Sequence, residues 1–264
     1  EPGAQAQRYK EDVEQQKQKL EYKKPKSPEI KIEKEKVKLV KAGPSFLLKE
    51  VRVTGSTVFK EQDFRQIYER YINKKVTFQD IETLSGKIES KYKEKGYFTT
   101  TVYIPEQEIK DGIIEIRIAE GKMGQLNVEG NKWFSADFIK KFIHVKKNEI
   151  LNINALARDI LRINKNPDLE IKSVISQGKE PLTSDISLKV GGKFPWHAGF
   201  LEDNRGSRLT GKYRSMFFIR GSNVSGLGDT VFVNTLYSGK SSAESVSYSI
   251  PIGTYGTKFG IDMT

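Results

Sequence analysis

Hydrophobic positions in this chain change their spacing in a fixed order. From Phe46 to Thr54 they alternate as in a strand, which Gly55 closes. From about Glu61 to Tyr71 the spacing turns helical, with Phe64, Ile67, Tyr68 and Tyr71 at i, i+3, i+4 and i+7. A second helix is predicted after Thr77, which has capping-box spacing to Asp80. Phe78, Ile81, Leu84, Ile88 and Tyr92 form its apolar stripe, and Gly96 stops it. Alternation returns at Thr100, Val102 and Ile104, and again at Ile114, Ile116 and Ile118. The connection between them, 105–112, holds Asp111-Gly112, a hairpin-turn signal. The predicted order is β-α-α-β-β.

That order runs a second time. Val51, Val53, Gly55 and Phe59 recur as Leu126, Val128, Gly130 and Phe134, each 75 positions further on. Such an offset is the length of a domain-sized unit used twice. In the second unit the first strand is Gln125–Glu129. Ser135 caps a helix bearing Phe138, Ile139, Phe142 and Ile143, and a further helix carries Ile153, Leu156, Ile160 and Ile163 on one face. Strands at 170–176 and 184–190 close the unit. The segments 46–121 and 122–192 therefore each read as an α+β module, a three-stranded sheet with two helices on one face.

The texture changes after residue 192. Tyr213, Ser215, Phe217 and Ile219 share one face of a strand; Val231, Val233, Thr235 and Tyr237 share the next; Val246, Tyr248 and Ile250, then Phe259, Ile261 and Met263, follow. With the strand that starts at Trp196, the segment 193–264 predicts five strands joined by Gly-rich turns. Their lengths suit tilted strands crossing a bilayer, and the alternation suits an outer-membrane barrel. A soluble sandwich alternates in the same way. A closed barrel needs at least about eight strands, so the barrel reading implies more chain after Thr264.

Residues 1–45 are charged and poor in apolar side chains. Arg8 to Lys24 could form a helix with Val13 and Leu20 as its aliphatic anchors, ended by Pro25 and Pro28, and Ile30 to Val40 alternates weakly, enough for one short strand. The segment reads as a linker with a helix. The net charge of +11 admits nucleic acid, anionic membrane or an acidic polypeptide as partner. Lys interleaved with Glu is the ordinary composition of a solvated face, and without Arg-rich tracts set among stacking aromatics no nucleic-acid partner is expected. There is no cysteine, which rules out disulfides and thiolate chemistry. The two histidines, His144 and His197, have no ligand neighbour at metal-site spacing. Neither a nucleophile elbow nor a phosphate-cradling loop is present. The expectation is a non-enzyme without metal or cofactor.

Several short motifs fall in a recognisable order. Val51-Arg52-Val53-Thr54-Gly55-Ser56 opens the first unit; Gly96-Tyr97-Phe98 ends its second helix; Ile104-Pro105-Glu106-Gln107, Asp111-Gly112 and Ala119-Glu120-Gly121 mark its hairpin. Val128-Glu129-Gly130-Asn131 opens the second unit. Asp203-Asn204-Arg205-Gly206-Ser207 with Thr210-Gly211, then Asn223 to Asp229, then Tyr248-Ser249-Ile250-Pro251-Ile252-Gly253, follow in the tail. Over residues 46–264 the chain resembles the two-partner-secretion (TpsB) transporters, in which two polypeptide-transport-associated (POTRA) modules precede an outer-membrane β-barrel. The resemblance implies a monomer in the Gram-negative outer membrane, its modules in the periplasm, passing an extended secreted exoprotein to the pore. A barrel-assembly insertase and a soluble periplasmic scaffold are the alternatives. It also puts the strand Phe98–Ile104 at the margin of its sheet, where a peptide could add as a further strand. The residues expected to receive it are Phe98, Thr100, Val102 and Ile104, their repeats Ile171, Ser173 and Ile175, and Tyr68 and Tyr71 of the first helix as groove lining.

Overall fold

A computed structural model describes the backbone of residues 30–32 and the whole of residues 45–264. The expected helix at 8–24 and the remainder of the expected strand after residue 32 lie outside the described residues. Within them, Ile30–Ile32 is a strand, β1.

The first unit comprises β2 (Phe46–Leu48), β3 (Glu50–Thr54), α1 (Glu61–Tyr68) followed by a 3-10 turn (Glu69–Tyr71), β4 (Lys74–Val76), α2 (Phe78–Glu94), β5 (Thr101–Tyr103) and β6 (Ile113–Ala119). The sheet order is β3-β6-β5, with β3 parallel and β5 antiparallel to the central strand. The strand expected as one run from Phe46 to Thr54 is broken at Lys49. Its first part pairs with β4 in a separate two-stranded ribbon, and its second with β6. The two halves have different partners on either side of the break: Asn73 N–H donates to the Leu48 carbonyl, whereas Lys49 N–H donates to the Gly112 carbonyl. The α2 helix starts as its sequence demands, with Asp80 N–H donating to Thr77 Oγ1 at 3.3 Å and Thr77 N–H donating to Asp80 Oδ2 at 2.8 Å. Its stripe of Ile81, Leu84, Ile88 and Tyr92 is wholly buried with Phe64, Ile114 and Ile116.

The second unit comprises β7 (Lys122–Glu129), α3 (Ala136–Lys141), α4 (Ile153–Ile163), β8 (Leu169–Gln177) and β9 (Thr183–Gly192). Its core joins Phe134, Ile139, Leu156, Ile160, Ile186 and Leu188. The duplication is visible in one backbone detail. Gly55 and Gly130 both have positive φ, +85° and +77°, and a Cβ on either would meet a carbonyl oxygen of the last inner strand, Ile118 at 2.2 Å or Val190 at 2.7 Å. Only glycine satisfies both the left-handed turn and that close approach. The units abut: Ile153 N–H donates to the Gly96 carbonyl, Asn152 Nδ2 donates to the Lys95 carbonyl, and Phe98 of the first unit packs on the core of the second.

The tail is a meander of five antiparallel strands, β10 (Trp196–Asp203), β11 (Arg214–Ser222), β12 (Thr230–Ser238), β13 (Ser241–Ile252) and β14 (Thr257–Met263). All five predicted strands are present. One face carries Phe200, Phe217, Ile219, Val233, Val246, Phe259 and Ile261, every one of them exposed. The other carries Met216, Phe218, Arg220, Ser222, Asn234, Ser245 and Ser247, all buried. A soluble sandwich would bury its apolar face. Here the continuous apolar face is the open one and the polar residues point inward, which is the arrangement of a membrane barrel wall.

Candidate functional site

The first unit has two sheet margins. β5 lies at one, paired to β6 through Thr101↔Ala119, Val102↔Ile118 and Tyr103↔Arg117, and no described strand pairs along its other side. Of the residues expected here, Val102 and Ile104 are half-buried against the first core, Thr100 is buried just before the strand, and Phe98 turns toward the second unit. The open strand is therefore three residues long rather than the expected seven. Beyond Tyr103 its place beside β6 is taken by a side chain: Gln107 Nε2 donates to the Glu115 carbonyl and Glu115 N–H donates to Gln107 Oε1, both at 2.8 Å. A primary amide has the donor and acceptor of a peptide unit, so Gln107 ends the ladder as one more residue of strand would.

The other margin is β3. A groove of about 670 Å³ runs along it, lined by residues of β3 and by Glu61, Arg65, Tyr68 and Glu69. Tyr68 was expected to line the β5 edge. It belongs instead to this groove and is buried, because α1 packs over β3 while α2 packs beside β5. Tyr71 is half-buried, with Arg70 and Lys87 on its ring at 5.0 and 5.6 Å and Lys87 Nζ 3.3 Å from its hydroxyl. These cations lower its pKa. Tyr71 is part of neither margin.

In the second unit the expectation of a free edge at β8 is corrected. Ile171, Ser173 and Ile175 point into the core, and β1 lies along the strand in parallel register, Ile30↔Ser173, Lys31↔Val174 and Ile32↔Ile175. The edge exists, but a segment of the same chain occupies it. The weak alternation from Ile30 announced a short strand, but nothing in it names β8 as the partner.

The second unit meets the five-stranded sheet through two buried carboxylates that the sequence did not single out. Asp168 accepts from His197 Nε2 at 2.7 Å, from Arg220 Nη2 at 3.0 Å and from Ser222 Oγ at 2.6 Å. Asp159 accepts from His144 N–H and from Arg162 Nη1, and faces His144 Nδ1 at 2.9 Å; the other ring nitrogen of His144 lies 2.8 Å from Thr254 Oγ1. Tyr255 stacks on the His144 ring. The turn 223–229 adds a third tie, Asn223 Nδ2 donating to the Trp133 carbonyl at 3.0 Å. Asp159 was visible as an acid set among the stripe Leu156, Ile160 and Ile163; Asp168 gave no such signal.

Comparison with known proteins agrees with this geometry at both ends of the chain. Residues 46–121 match the family model of the ShlB-type POTRA domain, and residues 183–260 match that of the haemolysin secretion/activation proteins ShlB/FhaC/HecB. The chain belongs to the two-partner-secretion transporter family. The heme/hemopexin transporter protein HuxB of Haemophilus influenzae is 25% identical over 227 residues, covering 84% of this chain and 40% of the relative. The outer membrane transporter CdiB of Dickeya dadantii is 24% identical, covering 80% and 38%. The solved CdiB from Escherichia coli superposes with a TM-score of 0.70 at 22% identity, over 94% of this chain and 47% of that one. CdiB from Acinetobacter baumannii gives 0.63 at 20%, over 95% and 50%. The chain thus spans about two fifths of the curated relatives' length. The family consists of transporters rather than enzymes. Its POTRA modules are periplasmic and its strands lie in the Gram-negative outer membrane.

Two sequence motifs acquire physical content, one in the first module and one in the barrel turn. Glu120 of Ala119-Glu120-Gly121 is buried and accepts four hydrogen bonds, from Thr57 N–H, Thr57 Oγ1, Val58 N–H and Tyr92 OH. It ties the end of the hairpin to the loop before α1 and to α2. Asn223 to Asp229 is a turn closed by its own side chains, with Gly228 N–H donating to Asn223 Oδ1 and Ser225 donating to Asp229 Oδ1.

Proposed function

We propose that this chain acts in two-partner secretion, its periplasmic modules binding a secreted exoprotein in extended form and passing it to the barrel pore. The observation that carries the reading is β1 on β8. A strand edge of one POTRA module already holds an extended segment by main-chain pairing, and the edge of β5 is the equivalent position in the first module. Main-chain pairing is indifferent to side-chain identity, which suits a partner that arrives unfolded. Lys-rich module surfaces would speed encounter with acidic stretches of such a partner. A bound nucleotide has no part in this scheme; folding of the exoprotein outside the cell would bias the direction.

The β3 margin supports a second placement of the same event, because it offers five residues of strand and the adjoining groove. The two placements separate experimentally. Val102→Pro acts on β5 and leaves β3 unsubstituted. It should weaken capture of the cognate exoprotein about tenfold, the worth of one or two main-chain hydrogen bonds, with the thermal transition of the modules retained. Calorimetric affinity equal to wild type would eliminate β5, and Val53→Pro then examines β3.

A further inference from the structure

Trp133 and Trp196 are the two tryptophans of the sequence, and both lie where the second module meets the barrel wall. Trp196 belongs to the lipid face. It pairs with Gly221 in the register that sets Ala198 opposite Ile219 and Phe200 opposite Phe217, and side chains two apart share a face. Ser222 N–H donates to the Pro195 carbonyl at 2.8 Å, so the pairing continues one residue below the strand, and Phe194 lies just beyond it. Phe194 is 56% exposed and Trp196 43%. The upper margin of that face is marked by Tyr213, 71% exposed. Tyr213 to Gly221 is eight residues, roughly 27 Å along the strand and about 20 Å of height at the usual tilt. Trp196 and Phe194 therefore sit at the lower, periplasmic border of the apolar band, the level of an aromatic girdle.

At that border the second module contributes a residue of its own. Trp133, from the loop before α3, packs edge-on against Phe194 with ring centroids 5.2 Å apart, and its carbonyl is held by Asn223 of the barrel turn. Lys132 Nζ lies 4.9 Å from the centre of the Trp133 ring, and Lys193 is exposed beside Phe194. Val224 and Leu227, both exposed, stand on the same periplasmic turn. Indole rings with a lysine on either flank, continuous with a lipid-facing surface, form the combination that settles at a headgroup layer: rings at the interface, ammonium groups toward phosphate.

We propose that the second module rests on the periplasmic leaflet of the outer membrane, its Lys132-Trp133 loop and the Lys193-Phe194 segment seated among anionic phospholipid headgroups. The contact extends the lipid-facing surface of the barrel onto the module and gives it a fixed side toward the membrane, independently of which strand edge takes the exoprotein.

The sequence is free of cysteine over all 264 residues, which allows single-site labelling of this region. The full-length transporter is placed in nanodiscs of phosphatidylethanolamine and phosphatidylglycerol, with a bimane probe at Lys132→Cys or, in a second sample, at Leu182→Cys. Leu182 is exposed in the turn between β8 and β9, at the end of β9 remote from the barrel. A nitroxide on the lipid headgroup should quench the probe at 132 several-fold more than the probe at 182. Trp133→Ala with Phe194→Ala should bring the two values together. Equal quenching at 132 and 182 in the otherwise native protein overturns the proposal, and that comparison needs no apolar substitution. Strong quenching at 132 that survives the double substitution overturns the assignment to these rings.

Discussion

At the scale of single residues, Glu120 ties the end of the first module's hairpin to the loop before α1 and to α2. Its burial taken alone would raise its pKa, but hydrogen bonds from Thr57, Val58 and Tyr92 outweigh burial, and the net shift is downward from 4.5. The phenol of Tyr92 moves the other way, raised chiefly by its own burial, so it stays a donor to the carboxylate. A carboxylate whose folded pKa is lowered contributes stability that is complete above its unfolded value and disappears as pH falls through the folded one. The Glu120 contribution is therefore present at neutral pH and lost below about pH 4.5. Glu120→Gln should cost about 1.5–3 kcal/mol at pH 7, the range for hydrogen bonds to a charged group, and should flatten the acid limb of thermal stability measured against pH. A variant that melts as wild type at pH 7 would remove this role. The motif itself was legible, since Ala119-Glu120-Gly121 stood out in the sequence. Its mechanism was not, because the donors lie 28 and 62–63 positions away.

Elements were read well where one periodicity ran long enough to dominate. The α2 helix and the five strands of the tail have a single partner layer each, and their patterns say so. Reading failed where a short run serves two layers: Phe46 to Thr54 alternates throughout, yet a break at Lys49 sends its halves to β4 and β6. The edge at β5 was anticipated in place but not in length, since nothing in Ile104-Pro105-Glu106-Gln107 announces that an amide side chain completes the ladder. Gln107 also shields β6 from strangers, as short and blocked edges commonly do. Gln107→Ala would leave the Glu115 N–H and carbonyl without that partner. Amide exchange at Glu115 should accelerate and stability should fall by about 1–2 kcal/mol. Unchanged exchange at that one amide would show that the side chain adds nothing to the ladder.

For the whole molecule, the decisive contacts join segments distant in the chain, and this is why composition and periodicity left them unread. The two histidines, which lack ligand neighbours in the sequence, are each hydrogen-bonded to a buried aspartate at the seam between module and barrel. Asp168 matters most: it is 2% exposed and holds a histidine, an arginine and a serine from two barrel strands. Removing its charge weakens its pairing with the buried Arg220 guanidinium and with the His197 ring, and loss of one partner from a buried pair costs up to about 3–5 kcal/mol. That cost falls on the seam and not on either folded core, because the Asp168 carboxylate accepts from residues of β10 and β11 and lies outside the apolar cluster of the second module. Asp168→Asn should therefore loosen the angle between the second POTRA module and the barrel while each keeps its own fold. Spin labels at Leu182, on the remote tip of the module, and at Leu209, in the exposed loop at the opposite end of the strands, report that angle as one distance. In the wild-type protein the distribution should be single and narrow, and in the variant it should broaden with the barrel signal unaltered. An equally narrow distribution in both would mean that Asn223, His144 and the packed aromatic residues hold the seam without the carboxylate.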